Sequence, residues 1–141
     1  MVRNLPNGAR VVFIPADFDR QYANSNNPDH GILLSNAVRW AAKDDLPLAV
    51  EGPGYMDCNL YQQSGRMVLH VANLTYATFR APLDEFVPVG PFKVRVKLNR
   101  GVSGQNVKLL VAGQAAQASV SNGWAEFVIP SVASHEVVAI A

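Results

Sequence analysis

Arg10 to Pro15 (RVVFIP) reads as a β-strand, and Asp29 to Lys43 (DHGILLSNAVRWAAK) reads as a helix, yet no parallel sheet follows for them to join. One strand and one helix cannot bury both their faces. This opening segment therefore has to pack on the rest of the chain or on another chain. Asn27 can cap the helix, Pro28 suits its first position, and Asp29 favours the positive end of its dipole. At helical spacing Leu33, Leu34, Ala37, Val38, Trp40 and Ala41 share one broad face. Ser35, Asn36, Arg39 and Lys43 lie opposite, with Ile32 an apolar exception among them. Covering the large side chains of that face at roughly 1.5–3 kcal/mol each amounts to on the order of 10 kcal/mol gross. The run Val11, Val12, Phe13, Ile14 is continuously apolar, as in a strand covered on both faces. Val11 and Phe13 thus join the helix face as the expected interface. Between strand and helix, Ala16 to Asn27 is polar and reads as a loop anchored by Phe18 and Tyr22.

After Glu51 the pattern changes to short alternating runs. Asp44 to Gly54 contains Pro47 and Pro53 and reads as an extended connector. Strands are expected at Met56 to Tyr61 and Arg66 to Asn73, joined through Gln62-Gln63-Ser64-Gly65, and Ala81 to Pro91 reads as a crossover. In Phe92 to Leu98, Phe92, Val94, Val96 and Leu98 fall on one face and Lys93, Arg95 and Lys97 on the other. Val107 to Ala112 and Ala115 to Ser121 follow, then an Asn122-Gly123 hairpin signal leading into Trp124 to Ile129, and His135 to Ile140 closes the chain. The expected fold is mainly β (α+β). An antiparallel β-sandwich of about seven strands over residues 49–141 carries an N-terminal strand–helix extension over residues 1–48.

Composition narrows the function classes. The chain has 141 residues, 49% apolar and 16% charged, which suits one domain, or one domain plus a small appendage, with a sizeable core. The net charge of +1 and the absence of a basic run argue against nucleic acid. Cys58 is the only cysteine, so no intrachain disulfide can form, and a reducing, cytoplasmic setting is expected. The Met-Val-Arg start lacks the apolar core of a signal peptide, and no apolar stretch is long enough to span a membrane.

No convincing catalytic constellation emerges, and no cofactor or metal is expected. Asp17, Asp19 and Arg20 form the most polar cluster, just after a strand, where ligands gather in open α/β sheets. The plainer reading is that the carboxylates pair with Arg20 and shape the loop. Two acids about 5–10 Å apart across a sugar pocket could hydrolyse a glycoside, but one extended loop builds no pocket. Asp44 with Asp45 read as a helix end, and Asp84 with Glu85 as a solvated crossover. His30, His70 and His135 lack the spacing of a zinc site. Cys58 alternates with Met56 and Leu60 towards the core. Trp124 could stand partly exposed as a sugar platform, with Tyr55, Tyr61 and Tyr76 as further candidates, although rings spread over strands usually pack. Asn73-Leu74-Thr75 matches a glycosylation acceptor but lies in a strand.

The stretches RVVFIPADFDRQY, NPDHGILLSNAVRWA and VEGPG resemble the end of a multidomain family. So do VLHVANLT, FVPVGP, VKLLVAG and PSVASHEVVAI, in order along nearly the whole chain. The family is that of glycoside-hydrolase-like proteins with a catalytic barrel, a flavodoxin-like β-galactosidase trimerisation-type domain and a C-terminal β domain. The resemblance implies that the catalytic carboxylates belong to a barrel without counterpart here. It also implies that Val11 to Ala41 descends from a domain that joins subunits, although the parallel sheet that should flank Val11 to Ile14 is missing. The expectation is a non-catalytic accessory and assembly module, a homo-oligomer or partner-domain binder through its N-terminal helix. A carbohydrate-binding module using Trp124 and tyrosines is the alternative, and a small hydrolase using Asp17 or Asp19 with a partner chain is a third.

Overall fold

The computed structural model describes residues 1–75 and 85–141. The chain divides into two compact units, Met1–Leu46 and Pro47–Ala141. Tyr76 and Asp84, and the first residues of the expected crossover from Ala81, lie outside the described residues.

In the first unit the strand has an antiparallel partner. Strand β1 (Val2–Asn4) pairs antiparallel with β2 (Arg10–Val12), Val2 facing Val12 and Asn4 facing Arg10. The Asn7-Gly8 turn is the reason: Gly8 takes φ 78°, and the chain reverses so that Leu5 N–H reaches the Ala9 carbonyl. The strand is shorter than expected, although Phe13 N–H still donates to the Met1 carbonyl at 2.8 Å beyond it.

The segment expected as a loop contains a helix, α1 (Phe18–Ser25). Its polarity is that of a short helix exposed along most of its length, which an apolar-period reading passes over. The second helix, α2 (Pro28–Ala41), begins as expected, with the Asn27 side chain accepting from Asp29 N–H at 3.0 Å and Pro28 in the first turn. The two helices approach closely at Gly31, where a Cβ would lie 2.8 Å from the Tyr22 ring, and Phe18 meets His30 edge-on at 5.0 Å. Arg10 crosses to α2, its guanidinium 5.0 Å from the Trp40 ring and donating to the Trp40 carbonyl.

The second unit is the antiparallel β-rich sandwich, with nine strands among the described residues rather than about seven. One sheet runs β3 (Leu48–Glu51), β6 (Phe92–Lys97), β10 (Trp124–Ile129), β9 (Ser119–Ser121). The other runs β4 (Met56–Gln63), β5 (Arg66–Asn73), β11 (His135–Ile140), β7 (Val107–Leu109), β8 (Gln114–Ala116). Two differences from expectation account for the count. The connector holds β3, which pairs with β6 from Leu48 facing Val96 to Glu51 facing Lys93. The expected strand Ala115 to Ser121 divides between the two sheets, β8 pairing with β7 and β9 with β10.

The core is made by the alternation. Phe92, Val94 and Val96 of β6 and Phe127 and Ile129 of β10 face Met67, Leu69, Val71, Val107, Leu109, Val138 and Ile140 of the other sheet. The hairpin between β9 and β10 turns through Asn122 and Gly123 at φ 50° and 79°, the paired positive values that this two-residue turn requires.

Candidate functional site

Within the first unit the expected interface residues are only partly covered. No residue of Met1–Leu46 is fully buried among the described residues. Leu34, Ala37, Trp40 and Ala41 are partly buried, whereas Val11, Phe13, Leu33 and Val38 are exposed, Phe13 and Val38 by 57% and 59%. Within this one chain Val12 and Ile14 are partly covered and Val11 and Phe13 are not, because a two-stranded hairpin has too little sheet to cover both faces. Two apolar grooves result. One, of about 550 Å³, is lined by Val11, Leu34, Ala37 and Val38 but also by Arg10 and Asp19, so the segment expected to build no pocket does border one, because it folds as a helix against the hairpin and α2. The other, of about 340 Å³, is lined by Val2, Phe13, Leu33 and Trp40 among others.

The acidic cluster belongs to the start of α1. Asp17 stands at the N-cap position and Asp19 in the first turn, and the Arg20 Nε lies 3.0 Å from the Asp17 carboxylate. Desolvation, with Asp19 beside it, raises the Asp17 carboxyl above its ordinary value. Backbone N–H groups of Arg20 and of Asp19 itself hold the Asp19 carboxyl below its ordinary value. These are the contacts of a helix start, and Arg20 answers Asp17 across one turn.

The histidines are dispersed. His30 is partly exposed and leans on Phe18, in the segment expected as a loop, with its Nδ1 buried and without a hydrogen-bond partner among the described residues, while His70 and His135 are exposed on neighbouring strands. No group of three His, Cys, Asp or Glu side chains among the described residues could hold a metal ion. Cys58 is half-buried against the core with Met56 and Leu60, and burial, with Asp57 next, pushes its thiol up. Its alkylation by iodoacetamide at neutral pH is therefore expected to be slow in the folded protein and fast in denaturant; equal rates would contradict the placement. The Asn73 amide nitrogen donates to the Ala133 and Val87 carbonyls at 2.8 and 3.2 Å, so a glycan there would displace structural hydrogen bonds.

A site built by the tertiary fold lies on the outer face of the β3–β6–β10–β9 sheet. Register sets its rows: Ala49, Arg95, Glu126 and Ser119 form one, and Glu51, Lys93 and Val128 the next. These residues, with Gln117 and Ala118, line an open cleft of about 670 Å³. Arg95 Nε donates to Glu126 Oε1 at 2.8 Å, and its guanidinium lies 4.9 Å from the centre of the Trp124 ring. Trp124 is partly buried at the end of this cluster, while Tyr55 and Tyr61 are exposed elsewhere in the unit. Only Trp124 of the cluster stands out in the sequence; its companions could have been found by laying FKVRVK against WAEFVI in hairpin register.

No protein-family model matches the chain, and no curated protein matches it. Among solved structures, the chain is similar to alpha-L-fucosidase isoenzyme 2 from Paenibacillus thiaminolyticus, with a TM-score of 0.71 and 18% identity. The chain shares its fold with part of a glycoside hydrolase. The likeness covers 94% of this chain and 20% of that one. Among the described residues no helix is long and apolar enough to cross a membrane.

Proposed function

We propose that the chain is a non-catalytic accessory module that works in assembly, joining copies of itself through the Met1–Leu46 unit. The observation that carries this reading is the lack of any fully buried residue in that unit, together with exposed Val11, Phe13, Leu33 and Val38 beside two apolar grooves. A unit of this size does not bury enough apolar surface to stand alone, and contiguous exposed apolar surface marks an interaction site. The likeness to one fifth of a glycoside hydrolase supports a module of a larger architecture rather than a complete enzyme. The engagement of Asp17 with Arg20 at a helix start supports a structural role for the acids that a hydrolase would need.

Sedimentation equilibrium tests the reading. The chain is expected to self-associate at micromolar concentration. Leu33→Glu with Val38→Glu is expected to weaken that association by at least about a hundredfold, since each covered side chain contributes roughly 1.5–3 kcal/mol. A monomer at all concentrations, or a double variant that associates as before, would refute it. Leu33 and Val38 are exposed, so the substitutions leave the covered side of α2 in place.

A further inference from the structure

We infer that the free edge of β4 is a second surface of self-recognition, pairing antiparallel with β4 of another copy about a two-fold axis. Among the described residues four strands of the sandwich stand at sheet edges, β3 and β9 in one sheet and β4 and β8 in the other. An exposed edge is a template for strand addition, and chains blunt it by shortness, proline or lysine. Strands β8 and β9 have three residues each, and β3 has four, set between Pro47 and Pro53. Strand β4 has none of these guards. It runs for eight residues, MDCNLYQQ, with no proline, no basic residue and Asp57 as its one charge.

Hydrogen-bond parity fixes which groups are free. Gln63 pairs with Arg66 across a two-residue turn, so Gln63, Tyr61, Asn59 and Asp57 exchange their backbone bonds with β5. The N–H and carbonyl groups of Met56, Cys58, Leu60 and Gln62 point away from β5, and among the described residues no backbone partner meets them. The chemistry that matches such a row is another extended strand. A second β4 matches it completely in one two-fold register, with Asn59 facing its own copy. Met56 then pairs with Gln62 of the second copy and Cys58 with Leu60, so no outward group is left over, and Asp57 falls opposite Tyr61 rather than another acid. Packing supports the same occupant. Leu48 and Val50 of β3 and Met56, Cys58 and Leu60 of β4 are only partly covered against the core, and a cavity of about 240 Å³ opens between the two strands. Opposed side chains of an antiparallel pair share a face, so the second β4 sets its Leu60 beside Cys58 on the core side and its Asp57, Asn59 and Tyr61 towards solvent.

Strand pairing gains mainly backbone hydrogen bonds, whose net worth in water is small, so this contact is expected to form on the order of 0.1 mM, above the range of the Met1–Leu46 unit. Disulfide trapping at that concentration in a glutathione buffer tests it. The chain carries Leu33→Glu and Val38→Glu throughout, so the trapped dimer does not depend on the first interface, and Cys58→Ser removes the native thiol. In the inferred register Asn59 and its copy form a non-hydrogen-bonded pair with Cα atoms about 4.5 Å apart, within the reach of a disulfide. Asn59→Cys is expected to give at least about tenfold more covalent dimer than Lys108→Cys on β7 or Asp57→Cys on the same strand. Gln62→Pro removes an outward N–H and leaves the β5 ladder intact, and is expected to cut the trapping of Asn59→Cys about tenfold. Should the Cys58→Ser chain not fold, the same comparison is made with Cys58 retained and the cross-link located by peptide mass. Trapping of Asn59→Cys no stronger than that of Lys108→Cys, equal trapping of Asp57→Cys, or indifference to Gln62→Pro would each overturn the inference.

Discussion

Phe92→Ala is expected to lower the unfolding free energy of the sandwich by about 3–5 kcal/mol, enough to leave a domain of this size marginal. Phe92 is the largest of the fully buried side chains among the described residues and begins the strand that joins β3 to β10. Its ring occupies space that Gly52 leaves open, because a Cβ on Gly52 would run into the ring edge. The surroundings are paired strands, which cannot collapse far into the vacated volume. Urea unfolding followed by far-ultraviolet circular dichroism measures the effect, with an unchanged denaturant slope expected. Phe92→Leu should cost clearly less. A loss below about 1 kcal/mol for the alanine variant would mean that the site relaxes, or that the ring is not the keystone of this core.

Glu136→Ala is expected to cost about 2–4 kcal/mol by a different mechanism. Glu136 is a buried charged residue of the sandwich, 2% exposed, pointing inward in line with Val138 and Ile140. Its Oε1 accepts from Val111 N–H and Val137 N–H, each at 2.8 Å, and its Oε2 from Ala112 N–H at 3.0 Å. The carboxylate thereby holds the turn between β7 and β8, and truncation leaves three backbone donors without their acceptor. Glu136→Gln keeps one acceptor oxygen and should recover part of the loss. Denaturation curves for the two variants check the order, and hydrogen exchange at Val111 and Ala112 should quicken selectively in both. If alanine costs less than about 0.5 kcal/mol, water replaces the carboxylate and the turn does not need it.

The burial of Glu136 follows from the strand pattern alone. In HEVVAI the alternation that buries Val138 and Ile140 places Glu136 on the same face, and a charge there demands partners. The identity of those partners was not available from the pattern, because Val111 and Ala112 lie some 25 residues away and reach it only when β11 pairs with β7. The segment Ala16 to Asn27 gave no apolar period, and its helix became visible only with Tyr22 resting on Gly31. Leu48 to Glu51 looked like a connector between prolines, and the free edge of β6 made it a strand.

Local signals decided much by themselves. Asn27 and Pro28 set the start of α2, Asn122-Gly123 set the β9–β10 turn, and period-two runs set the inward faces of β6, β10 and β11. Each depends on residues within a few positions of one another, so short-range sterics and hydrogen bonding suffice. Which strands became neighbours, how Ala115 to Ser121 was shared between sheets, and the meeting of Arg95, Glu126 and Trp124 were decided only by the tertiary structure. Arg95 and Glu126 are 31 positions apart in the chain, and no local preference of either strand encodes its partner.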